Sequence, residues 1–131
     1  MSPDKVFRVA VIVTAVTYSV YWLLPYSYGY LDPEVGSLLS YSGFKSIYVI
    51  GEYVSIALLI LLLYGCWGMY FHRKIGRNAF LIAMLAATAM TPLHGVIVET
   101  AGGVMLIDIA HVTSGMVLAL AYFSPIRDKF Y

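Results

Sequence analysis

Four long apolar runs, at about 6–24, 47–71, 78–98 and 104–124, constrain most strongly what this chain can fold into. Each is long enough, at 1.5 Å per helical residue, to cross a hydrocarbon core of roughly 30 Å. Lipid offers no hydrogen-bond partners, so a crossing segment must satisfy its own backbone, and the runs are expected as helices rather than strands. Of the 131 residues, 61% are hydrophobic and 11% charged, against about a quarter charged in an ordinary soluble domain. The expected fold is all-α: one transmembrane domain over residues 1–131, an integral membrane four-helix bundle with antiparallel up-down topology.

Charge sets the expected orientation. Seven of the eight Lys and Arg residues (Lys5, Arg8, Arg73, Lys74, Arg77, Arg127, Lys129) fall in the two tails and the turn at 72–77; Lys45 alone falls on the other side. By the positive-inside rule both termini are cytoplasmic, most simply in a prokaryotic cytoplasmic membrane. The first run opens with Lys5 and Arg8, as a signal peptide does, but no small-x-small cleavage site follows it, so it reads as a retained helix. A net charge of +1 without a basic run excludes nucleic acid as a partner. The single cysteine, Cys66, excludes an internal disulfide and a Cys-rich metal site.

The outward connection at 25–46 and the helix ends that flank it are rich in tyrosine: Tyr18, Tyr21, Tyr26, Tyr28, Tyr30, Tyr41, Tyr48 and Tyr53 all lie between positions 18 and 53. Such residues suit an aromatic belt at the headgroup layer. They also suit a lid, because Asp32-Pro33-Glu34 is a helix-start signal that predicts a short interfacial helix running through Leu39. A tight hairpin at 99–103, with Gly102-Gly103 ending the preceding helix, is expected between the last two crossings.

Ionisable residues inside a bilayer are costly and usually functional. Glu52, His94, Asp108 and His111 come from three runs, yet counting along each helix places them all roughly 6–12 Å below the outer surface. Asp108 and His111, spaced i, i+3, share a face with Met105 and Gly115. Thr91 precedes His94 by one turn, Tyr48 and Ser55 flank Glu52, and Thr14, Thr17, Tyr18 and Tyr21 form a polar seam on the first helix. Glu99 is read as an interface residue, His72 as a solvated loop residue, and Met84, Met90, Met105 and Met116 as core filler. Ala79-Ala83-Ala87 and Gly115-Ala119 read as small-residue ridges for close helix packing.

This layer suits several chemistries. Two imidazoles and two carboxylates (His94, His111, Asp108, Glu52) could ligate zinc, iron or manganese in a bundle core. His94 and His111 on consecutive helices could ligate a haem iron. The expected function is therefore a pocket for a metal or haem-type cofactor, as in a redox-linked subunit of a membrane complex. The alternative is an acid–base enzyme, with Glu52, Asp108, His94 and His111 as catalytic groups and Thr14, Tyr18, Tyr21, Tyr48, Ser55 and Thr91 lining the pocket. Its substrate would be an isoprenoid, sterol or quinone-like molecule. A non-catalytic assembly subunit, or a homo-oligomer, is the third reading.

Overall fold

The computed structural model describes residues 2–42 and 51–131, the side chains of Gly51 and Glu52 excepted. Five α-helices follow in order: α1 Pro3–Ser27, α2 Pro33–Leu39, α3 Gly51–Tyr70, α4 Lys74–Met90 and α5 Ala101–Phe123. No strand occurs among the described residues. Three segments are long and apolar enough to cross a membrane: Pro3–Tyr30, Tyr53–Tyr70 and Ala101–Phe123. Val9, Val16, Val20 and Leu23 on α1, and Ile60 and Tyr64 on α3, point outward, as side chains facing lipid must.

The expected third crossing is shorter than its apolar run. α4 spans 17 residues, and Thr91–His94 continues it only as a 3₁₀ turn. Pro92 lies in that turn, and it has no N–H with which to continue the helical hydrogen bonding. Gly95 then takes φ 73°, which reverses the chain. The turn into α5 is thus made at 95–100, not at the glycine pair. Thr100 caps α5, its Oγ1 accepting from Gly103 N at 3.1 Å, so Gly102 and Gly103 lie inside the first turn of that helix. The short helix expected after Asp32 is present as α2, with the Asp32 side chain accepting from Glu34 N at 3.0 Å.

α4 packs along α3, α5 along α1, and α1 meets α3 between them. The α3–α4 contact is backbone to backbone: a Cβ on Gly68 would lie 2.5 Å from Gly76 Cα, and one on Gly65 would meet Phe80 at 2.7 Å. Small residues permit this approach, as they do between helices in membranes. The predicted Gly115-Ala119 ridge packs on nothing comparable, since no atom lies within 4 Å of a Cβ built on Gly115. Met105 and Met116 are exposed, not core filler.

The buried core fills the end of the bundle that carries the termini. Phe7, Val11, Leu62, Met69, Phe80 and Val117 meet there, and Ile126 and Phe130 of the C-terminal segment close it. His72 is drawn into this core, 7% exposed, with its ring 5.7 Å from that of Phe7 and 5.6 Å from that of Phe130. It ends α3 in left-handed geometry at φ 56°, and Arg73 N donates to Gly68 O while His72 N donates to Met69 O. This is a Schellman closure with histidine where glycine is usual. His72 Nε2 lies 3.1 Å from Asp4 Oδ1, an oxygen that also accepts from Lys129 Nζ at 3.1 Å. Tyr131 N donates to His72 O and Lys74 N to Tyr131 O. Both tails and the α3–α4 turn therefore sit at one end of the molecule, and His72 belongs to its clamp.

Candidate functional site

Opposite that packed end the helices part around a cavity. An outer vestibule of about 540 Å³ is lined by Tyr21, Trp22, Pro25, Tyr26, Tyr28, Ser55, His94 and Glu99. A deeper chamber of about 380 Å³ shares Tyr21, Trp22, Ser55, His94 and Glu99 with it and adds Tyr18, Thr91 and His111. Its remaining walls are mostly aliphatic, from Leu58, Leu59 and Leu62 on α3 to Ala83, Met84 and Ala87 on α4 and Ile107 on α5. Volumes of this size are typical of small-molecule sites.

Of the residues singled out from sequence, Tyr18, Tyr21, Ser55, Thr91, His94 and His111 come together on this chamber. Asp108 does not: it is exposed on α5 and lines neither space. The cavity face of α5 is the Ile107–His111 stripe, spaced i, i+4, and Asp108, one residue on from Ile107, is turned about 100° round the helix from it. Thr14 is also elsewhere, fully buried in the α1–α5 contact, where its Oγ1 donates to Thr113 Oγ1 at 2.9 Å. Tyr48 and the Glu52 side chain lie outside the described residues. Among the described residues, no group of three His, Cys, Asp or Glu side chains gathers closely enough to hold a metal ion. Of the 25–46 connection, Pro25, Tyr26 and Tyr28 line the vestibule, and among the described residues no α2 residue lines either space.

Glu99, read from sequence only as an interface residue, also lines the cavity. It is half-buried and accepts a hydrogen bond from the Tyr21 hydroxyl at 2.5 Å. That separation is typical of a hydroxyl donating to a carboxylate. Two features seat the carboxylate. It directly precedes the capped N-terminus of α5, where unpaired N–H groups favour negative charge. Its Oε2 also occupies space that a side chain on Gly103 would fill, since a Cβ there would lie 2.6 Å away. The signal was present as Glu-Thr-Ala-Gly-Gly, but only the early end of α4 turns that segment into a helix start beside the cavity.

The histidines are oriented differently. His94 Nδ1 lies 3.0 Å from Met90 O. A carbonyl can only accept, so Nδ1 donates the hydrogen of this bond. His111 packs edge-on to Tyr18 at 6.4 Å between ring centroids, and the Tyr18 hydroxyl donates to Met84 Sδ at 3.6 Å. The chamber thus has phenol, carboxylate and imidazole groups in its upper wall and hydrocarbon below. Comparison with known proteins returns no match: no family model, no curated protein and no solved structure aligns significantly with this chain.

Proposed function

We propose that this chain is a small integral membrane protein with both termini in the cytoplasm. In this reading α4 completes a four-helix bundle, and the cavity opens toward the outer surface of a prokaryotic cytoplasmic membrane. The cavity takes a lipophilic molecule with an oxygen-bearing head, of quinone, sterol or isoprenoid type. The head lies against Tyr21, Glu99, His94 and His111, which can exchange protons with it, and the chain lies against the aliphatic walls. The observation that carries this reading is the chamber itself, polar at one end, apolar along its length and bounded by four helices. The test is mass spectrometry of lipid retained by the purified protein. A defined isoprenoid-type molecule at near-stoichiometric amount, lost in Ala87→Phe, supports the reading; bulk phospholipid alone in both proteins overturns it.

A second reading is favoured by one observation, that His94 and His111 line the same chamber. Both could then ligate a haem iron, with the hydrogen bond at His94 Nδ1 orienting Nε2 as such ligands are oriented. A Soret band present in the wild type and lost in both His94→Ala and His111→Ala would establish it.

A further inference from the structure

The chamber has an incomplete wall. α4 and α5 are bridged at the inner end, where Arg77 Nη1 donates to Ala121 O at 3.3 Å and the Tyr122 hydroxyl donates to Asn78 Oδ1 at 3.3 Å. Going outward along the same face of α5, Tyr122 is followed by Gly115 and His111, spaced so that all three share one stripe. Gly115 has open space where a side chain would be, with nothing within 4 Å. His111 lines the chamber and is nonetheless exposed, and the same is true of Thr88 on α4. Residues that line a cavity and also lie on the surface mark where it opens. This opening lies between α4 and α5, above the Tyr122–Asn78 bridge. His111 and Gly115 are 10 and 14 residues into α5 from Ala101, roughly 15 and 21 Å from its outer end. That depth is hydrocarbon, not water.

The chamber is also long in this direction. Its wall along α4 and the turn that follows runs from Ala83 to Thr91, roughly 12 Å at the helical rise.

We infer that the cleft between α4 and α5 is a side door through which the ligand passes directly between the bilayer and the chamber. This rests on the reading of the cavity as a site for a lipophilic molecule, and narrows the ligand to one dissolved in the membrane. It has a single polar head that reaches the Tyr21–Glu99 pair and a flexible chain that threads past Gly115. A door alters how fast a ligand arrives and leaves, not how tightly it is held, and that separates it from the site.

The test uses the full chain in phospholipid vesicles, with Trp67→Phe as background so that quenching reports on Trp22, which lines the cavity. The probe is a benzoquinone carrying a decyl chain, preloaded into the lipid and followed by stopped-flow fluorescence. Gly115→Phe is expected to slow filling and emptying at least tenfold while the half-saturating quinone concentration stays within twofold. A tailless benzoquinone added from water, reaching the vestibule directly, should fill at the wild-type rate, which also shows that the variant is folded. If Gly115→Phe leaves the decyl probe's rates unchanged while Ala87→Phe abolishes quenching, the site stands and the side door is overturned. If Ala87→Phe does not alter quenching, the site itself fails and the door with it.

Discussion

The Tyr21 hydroxyl and the Glu99 carboxylate, 78 positions apart in sequence, meet at 2.5 Å and tie α1 to the start of α5 at the mouth of the cavity. The bond positions both groups over the chamber and joins two spans at the end of the bundle that lacks a packed core. A hydrogen bond to a charged group contributes about 1.5–3 kcal/mol. Tyr21→Phe is therefore expected to lower stability by roughly that amount, measured by denaturant unfolding in detergent micelles, and to weaken quinone quenching of Trp22. In a double-mutant cycle with Glu99→Gln the two losses should be markedly less than additive, because each substitution disrupts the same bond.

Gly103 makes room for that carboxylate. With Ala at this position the new Cβ would lie 2.6 Å from Glu99 Oε2, and the side chain, being the movable partner, would swing away. Alanine is the better helix former by up to about 1 kcal/mol. Gly103→Ala should therefore hold or raise helix content by circular dichroism while reducing quinone affinity as Glu99→Gln does. Unchanged affinity would show that the seat of Glu99 does not matter to binding.

Gly68 and Gly115 should respond to alanine in opposite directions. Gly68→Ala would drive a Cβ to 2.5 Å from Gly76 Cα, a backbone atom that cannot yield without parting α3 from α4. A cost of about 1–3 kcal/mol or more is expected, as for other overpacked sites, seen as a lowered thermal midpoint in micelles. Gly115→Ala meets no atom within 4 Å and should be neutral or stabilising in the same assay.

The clamp at the terminal end carries a pH dependence. Burial holds His72 below its usual value of 6.5; the charge of Asp4 works against this, and those of Arg8 and Lys129 add to it. With its folded value depressed, the unfolded chain binds the proton more readily. Stability is full above the unfolded value and falls as pH drops through 6.5 toward the folded one. His72→Asn keeps a residue that tolerates the left-handed backbone and removes the titration. The difference in unfolding free energy between wild type and variant should shift in the variant's favour between pH 7.5 and 5.5. A constant difference across that range would remove His72 as the source.

Much of this protein was legible in its sequence for a local reason: crossing lipid leaves the backbone one economical solution, so apolar run length predicts helices α1, α3 and α5, and Asp32-Pro33 predicts α2. The collection of Tyr18, Tyr21, Ser55, Thr91, His94 and His111 was also foreseen as a polar set, because period and depth along a helix are arithmetic. Only the tertiary structure decided which of them share a space. Asp108 left the set through a rotation of one helical step, and Thr14 through burial against Thr113. Glu99 joined it because Pro92 and Gly95 end α4 early and turn the chain back, and His72 became core because the C-terminal segment folds over it. These outcomes depend on how helices rotate and pack against one another, an energy that resides in contacts between distant residues and not in the pattern of any one segment.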